Sequence, residues 1–244
     1  MSSVTPYNQT QSKKEQVADM FNNIASNYDF LNHFLSLGID ILWRKKVIKL
    51  LRKNNPKKIL DIATGTGDFA IEAINLNPES VIGIDISNQM LAVGRKKLSE
   101  KNLDTKITLE NGDSESLRFD DNSFDAITAG FGVRNFENLD KGLREMYRVL
   151  SLNGTVAILE FSQPEHFPIK QLYWFYFLRI LPALGKLVSK DSRAYTYLPE
   201  SVKSFPSGKD FENKLIHAGF KNVRSIPLSF GIASIYLGKK SDIN

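Results

Sequence analysis

Residues 58–70 read Lys-Ile-Leu-Asp-Ile-Ala-Thr-Gly-Thr-Gly-Asp-Phe-Ala, and this stretch limits the fold more than any other. Ile59, Leu60 and Ile62 make a short β-rich run, Gly65 and Gly67 follow two apart, and an apolar run suited to a helix begins at Phe69. The order predicts a strand, a tight glycine turn and a helix. Glycines there let backbone N–H groups and the helix N-terminus come close to a ligand, because no Cβ stands in the way.

Two nucleotide-type ligands suit this geometry. A dinucleotide fingerprint would read Gly65-x-Gly67-x-x-Ala70, with Asp85 at the end of the next strand as its ribose-binding acid. Asp61 favours the other ligand. A carboxylate in the strand end just before the turn repels a pyrophosphate. It suits a ligand with positive charge, such as the ammonium and sulfonium groups of S-adenosylmethionine. The stretch resembles the first cofactor motif of class I S-adenosylmethionine-dependent methyltransferases, with Ala63 standing where that motif has its first glycine.

The rest of the chain alternates strand and helix. Strands are expected at 58–62, 81–84, 106–110, 124–129 and 155–161, with helices at 69–75, from the N-cap Ser87 onward, and at 139–150. Two further helices, over 13–33 and 40–52, precede the first strand and would cover the mouth of a cleft. Between 163 and 206 five prolines and the run Leu172-Tyr173-Trp174-Phe175-Tyr176-Phe177-Leu178 interrupt the alternation. It resumes with a helix at 208–218 and strands at 223–226 and 232–237. The expected architecture is an α/β Rossmann-like class I methyltransferase fold. It has a seven-stranded, mostly parallel sheet with helices on both faces, N-terminal helices, and an insertion between strands five and six. Residues 1–12 are expected as a flexible arm and 13–244 as a single domain. Within it, 13–55 form cap helices and 163–206 an insertion facing substrate or membrane.

Composition narrows the function. At 244 residues one sizeable core is expected. There is no cysteine, which excludes a disulfide scaffold, a thiolate nucleophile and a Cys-ligated metal. No apolar run follows Met1, so no signal peptide is expected. A net charge of +5 is spread among many lysines. It permits an anionic surface as partner and gives no concentrated nucleic-acid footprint. The aromatic run is too short to cross a bilayer, which takes about 20 apolar residues. It would suit a membrane surface, a pocket for a long apolar substrate, or plain packing.

In such a sheet the ligand site lies at the carboxyl ends of the strands, where Asp61, Gly65, Asp85, Asp113 and the loop 130–135 all fall. Asp85 can accept hydrogen bonds from both ribose hydroxyls, or simply start a helix. Asp113 and Ser114 can meet an adenine amino group, or form an ordinary turn. Met90 can line the adenine face or pack the core. Asp68 sits in a first helical turn and can face the sulfonium end of the cleft. Arg134 can hold an anionic oxygen or orient a water, or lock its loop by a salt bridge. Tyr28, Tyr195 and Tyr197 are candidates for a polar pocket rim. His33, His166 and His217 are far apart in sequence, and no metal is expected.

Longer motifs carry a closer resemblance. Met20-Phe21-Asn22-Asn23-Ile24-Ala25-Ser26-Asn27-Tyr28-Asp29, Phe131-Gly132-Val133-Arg134-Asn135, Leu159-Glu160-Phe161-Ser162-Gln163-Pro164 and Tyr195-Thr196-Tyr197-Leu198-Pro199-Glu200-Ser201-Val202 stand in order. With them the chain resembles the quinone-biosynthesis C-methyltransferases, which act on demethylmenaquinone and 2-methoxy-6-polyprenyl-1,4-benzoquinol. The resemblance implies S-adenosylmethionine as cofactor, with Thr66, Asp85, Asp113 and Ser114 among its contacts beside Asp61, Gly65, Gly67 and Met90. It implies methyl transfer to a ring carbon of a reduced polyprenyl quinone precursor. Demethylmenaquinol is preferred, with the benzoquinol, or both, as the alternative. In this reading Arg134, through a water and with Asp68, stabilises the developing phenolate, and Tyr28 orients the head group. The segment 172–187 receives the isoprenoid tail or meets the membrane. The expected partners are a polyprenyl quinol, a membrane surface touched peripherally from the cytoplasmic side, and a second copy of the chain, but no nucleic acid. An NAD-dependent oxidoreductase and an RNA methyltransferase are the more remote alternatives.

Overall fold

The structure is a computed structural model, and it describes residues 4–7, 10–29, 33, 36, 38–180 and 193–241. Its centre is a seven-stranded sheet of order β3-β2-β1-β4-β5-β7-β6. The strands are β1 (Lys58–Ile62), β2 (Ser80–Asp85), β3 (Ile107–Asn111), β4 (Phe124–Gly130), β5 (Leu150–Phe161), β6 (Lys221–Leu228) and β7 (Ala233–Lys239). The pairs from β3 to β5 are parallel, while β7 runs antiparallel to both β5 and β6. The order reverses between β1 and β4, and a crevice opens at their carboxyl ends.

Each central strand is apolar on both faces, as a sheet covered twice must be. In β1, Ile59 packs with Trp43, Val47 and Ile48 of α2 (Ile39–Leu51) and with Phe69 of α3 (Asp68–Ala73). Leu60 and Ile62 point the other way. They join Leu143 and Met146 of α5 (Leu139–Val149) and Phe211 and Leu215 of α8 (Lys209–His217). Between β2 and β3, α4 (Asn88–Glu100) starts where expected, with the Ser87 hydroxyl accepting from Met90 N–H at 3.2 Å.

A third cluster lies off the sheet. It joins Val17, Met20 and Ile24 of α1 (Lys13–Ile24) to Tyr173 of α6 (Ile169–Phe175), Phe177 of the π-helical turn that follows, and Tyr195, Tyr197 and Val202 of α7 (Arg193–Ser204). Thus the N-terminal helix and the insertion after β5 pack on each other above the crevice. Ser12 and Glu15 cap α1 reciprocally, which contributes about 1 kcal/mol. The arm expected to be free is tied down at two described points. Tyr7 N–H donates to Gln16 Oε1 at 2.9 Å, and the Arg193 guanidinium donates to the Pro6 carbonyl. The parts of the expected elements at 30–32 and 181–192 lie outside the described residues.

Candidate active site

The glycine turn holds its shape through Asp61. The Asp61 carboxylate has no exposed surface and accepts from the Thr64 hydroxyl at 2.6 Å and the Thr128 hydroxyl at 2.7 Å. Burial pushes its carboxyl up to about 6, against the pull of these two hydroxyls and the Ala70 N–H. Asp61 therefore pins the turn from beneath and does not line a cavity, contrary to the role expected for it. Ala63 takes φ +53°, the left-handed conformation that explains why glycine is usual at this point. A Cβ on Gly132 would fall 2.4 Å from the Ala63 Cβ, so the β4 loop can approach the turn only as glycine.

Above the turn lies a cavity of about 650 Å³ including open solvent. Gly65, Asp85, Met90, Asp113 and Ser114 line it as the sequence predicts, with Gly130 to Gly132 opposite. Asp85 accepts from Gly65 N–H and Ser87 N–H, both at 2.8 Å. Burial raises its carboxyl above the ordinary range, and the backbone N–H groups of Ser87, Gly65 and Ile86 oppose that shift. Asp113 lies 2.5 Å from Lys14 of α1, a partner that the sequence did not suggest. Asn135 also lines the cavity, and its Oδ1 is buried with no partner among the described residues.

Thr66, Gly67 and Asp68 do not line this cavity. The Thr66 hydroxyl donates to Asp29 at 2.5 Å, and Gly67 at φ +82° caps α3 beside Leu109. Asp68 belongs to a network beside α2, 2.7 Å from Lys97, 3.4 Å from His33 and 3.5 Å from Arg44. These three residues brace the turn, and Asp68, expected to act with Arg134 on the phenolate through a water, lines neither this cavity nor the one that holds Arg134.

A second cavity, of about 1620 Å³ including open solvent, adjoins the first, and Phe21, Tyr28 and Phe131 line both. Its walls are aromatic and aliphatic, from Met20, Ile24, Trp43, Phe161, Leu172, Tyr176 and Phe177 among others. Arg134 is the one charged residue among the described lining. Its Nη1 donates to Glu160 Oε1 at 2.9 Å and to the Phe131 carbonyl, and its plane faces Phe161 with Cζ 5.6 Å from the ring centre. Glu160 has no exposed surface, and burial raises its carboxyl while Arg134 pulls it back. Lys13 holds this loop from behind, donating from Nζ to the Phe136 carbonyl at 2.9 Å and the Arg134 carbonyl at 3.3 Å.

Glu160 was missed in the sequence although its signal was present. It is a lone acid in the apolar run 155–161, and such an acid must find a buried partner. Asn135 stands in the sequence only as part of the loop 130–135, and nothing in the sequence pattern singles out Lys14.

The sequence profile of the ubiE/COQ5 methyltransferase family matches residues 9–240. The chain belongs to this family. In the ubiE/COQ5 family it is similar to the demethylmenaquinone methyltransferase of Bacteroides fragilis, 51% identical over 238 residues, which cover 97% of each chain. It is also similar to the ubiquinone/menaquinone biosynthesis C-methyltransferase UbiE of a Geobacter species, 46% identical over 93% of this chain and 97% of that one. A SAM-dependent methyltransferase structure from Thermotoga maritima superposes with a TM-score of 0.64 at 18% identity, covering 91% of this chain and 99% of that one. That likeness shows the class I methyltransferase fold. As a ubiE/COQ5 methyltransferase the chain is an enzyme, and S-adenosylmethionine is its methyl donor.

Proposed function

We propose that the chain methylates a ring carbon of a reduced polyprenyl quinone precursor, converting demethylmenaquinol to menaquinol. One observation carries this reading. An apolar, aromatic-walled cavity whose only described charged lining residue is Arg134 shares three rings with the cavity above the glycine turn. Relatives in Bacteroides fragilis and Porphyromonas gingivalis, 51% and 44% identical, carry the name demethylmenaquinone methyltransferase. The Geobacter relative's name covers both quinones, which keeps the benzoquinol as a second reading.

The cavity above the turn fits S-adenosylmethionine. Asp85 would hold the ribose hydroxyls, Met90 the adenine face, and Asp113 and Ser114 its amino edge. Gly65, at φ +57°, leaves room for close approach, and the unpartnered Asn135 Oδ1 offers an acceptor to an ammonium group. When bound, the cofactor supplies a methyl group whose bond to sulfur breaks as its bond to the ring carbon forms.

The chain's own residues have two tasks. Arg134 lies where a positive charge can lower the energy of a phenolate, and loss of that hydroxyl proton makes the adjacent ring carbon nucleophilic. Tyr28 and Phe131, on both cavities, hold the ring at the boundary so that carbon and methyl meet in line. The apolar walls take the first isoprene units. Leu172, Phe175 and Leu178 are exposed beside Lys170 and Arg179, which suits peripheral contact with an anionic membrane surface. Among the described residues no helix is long and apolar enough to cross a membrane.

The test is methyl transfer from labelled S-adenosylmethionine to reduced demethylmenaquinone and, separately, to reduced methoxy-polyprenyl-benzoquinone. Label in the naphthoquinol alone supports the proposal, label in the benzoquinol alone moves the enzyme to the second reading, and label in neither removes both.

A further inference from the structure

Three residues that line the larger cavity carry buried polar atoms without a partner among the described residues. Arg134 Nε, Tyr173 Oη and Tyr197 Oη are all buried, and none finds a hydrogen-bond partner among the described residues. The Arg134 side chain is 8% exposed, and Tyr173 and Tyr197 are 5% and 2% exposed. A buried donor without an acceptor costs folding free energy, and a fold rarely keeps three in one place.

They lie in one place by two signs. All three residues line the same cavity, and both phenols lie in the field of the Arg134–Glu160 pair. They also come from three elements distant in sequence, the loop after β4, α6 and α7. No local turn geometry would bring them together by default. Aromatic packing links two of them, with Tyr173 stacked on Phe177 at 4.3 Å, Phe177 edge-on to Phe161 at 5.9 Å and Arg134 Cζ 5.6 Å from the Phe161 ring centre, and Tyr197 belongs to the same buried cluster as Tyr173.

We propose that Tyr173, Tyr197 and the Nε–H of Arg134 form a three-donor oxyanion site for the quinol oxygen whose ionisation activates the ring carbon. This rests on the quinol reading given above and adds two residues to it. A guanidinium Nε–H can only donate, so the missing partner must be an acceptor. A phenolate oxygen accepts three hydrogen bonds and gains most from them between apolar walls. The phenols stay protonated, because burial pushes Tyr197 up to about 12 and Tyr173 higher still. They therefore donate and do not act as bases. The step needs no further reactant: the hydroxyl proton leaves to solvent, and the electron pair left on oxygen is delocalised to the carbon that takes the methyl group.

The role is one of holding charge, so it is separable from packing. Tyr173→Phe and Tyr197→Phe keep each ring and delete only the hydroxyl. With reduced short-tailed demethylmenaquinone as substrate, each variant should lose about 10- to 100-fold in kcat/KM. Affinity for S-adenosylmethionine by calorimetry should stay within about twofold. The midpoint of the rise of rate with pH should move to higher pH, since the quinol ionises less readily with fewer donors. Tm should hold or rise, because an unpartnered buried hydroxyl has been removed. Wild-type kcat/KM and an unmoved pH profile in both variants would overturn the proposal, as would loss of activity that only follows a fall in Tm. If the wild-type enzyme methylates no quinol, the substrate reading itself fails and takes this inference with it.

Discussion

The Arg134 guanidinium lies 2.9 Å from the Glu160 carboxylate, with 8% and 0% of their side-chain surfaces exposed. Two opposite charges are thus held out of water behind an apolar cavity, and each makes the other tolerable. Arg134→Met alone should destabilise the fold by about 3–5 kcal/mol, because Glu160 is left buried without its partner. The double change Arg134→Met with Glu160→Leu should restore most of that stability and still show no methyl transfer. Denaturant unfolding and labelled-methyl assays on the same samples separate the two roles. An active double variant would remove Arg134 from the chemistry.

Asp85 bridges the glycine turn and the start of α4, taking N–H groups from Gly65 and Ser87. Asp85→Asn keeps the shape but removes the charge and turns one acceptor into a donor. Cofactor affinity should fall by about 1.5–3 kcal/mol, roughly 10- to 100-fold, with a smaller effect on KM for the quinol. Calorimetry with S-adenosylmethionine and with S-adenosylhomocysteine reads this directly.

Asp61 gives a pH signature. Its carboxyl sits at about 6 in the folded chain, against about 3.8 for an ordinary aspartate. Between these values the folded state holds more protons than the unfolded one, so the Asp61 contribution to stability falls as pH rises through that window. Compared with Asp61→Asn, the wild-type protein should lose on the order of 3 kcal/mol of relative stability from pH 4 to pH 7, and no more above it. Urea unfolding of both proteins at several pH values tests the sign. A difference that grows with pH would refute the assignment.

Leu172 and Tyr176 line the larger cavity at its exposed side. Leu172→Ala and Tyr176→Ala should raise KM about 5- to 30-fold for a long-tailed quinol, from lost apolar contact of about 1–2 kcal/mol each. For a short-tailed analogue the rise should be smaller. Equal losses on both substrates would assign these side chains to packing alone.

The α/β order, the glycine turn and the carboxyl-end location of the site were legible in the sequence because they follow from local patterns. Short continuous apolar runs mark strands, Ser87 marks a helix start, and Gly65 marks a turn. What was not legible is which way a polar side chain faces. Asp61 and Asp85 both lie near strand ends, yet Asp61 turns toward α3 and is spent on Thr64 and Thr128, while Asp85 reaches the cavity. Asp68 was expected to face the sulfonium end of the cleft, but Lys97, His33 and Arg44 hold it near α2. Those partners come from segments 24 or more residues away, and no sequence spacing announces them. Arg134 was expected near the cofactor cleft from its place in the loop after β4, and it lines the adjoining larger cavity instead, on a loop with little freedom once Gly132 is pressed against Ala63.

Helix α1 sends Lys14 and Val17 to the smaller cavity, Met20 and Ile24 to the larger one, and Phe21 to both. One rigid helix is therefore a party wall between two tenants. A ligand that settles against one side fixes the surface offered on the other, and linkage makes any such influence reciprocal. Donor and acceptor should not bind as strangers: the quinol should tighten the hold on S-adenosylmethionine by the same factor that S-adenosylmethionine tightens the hold on the quinol.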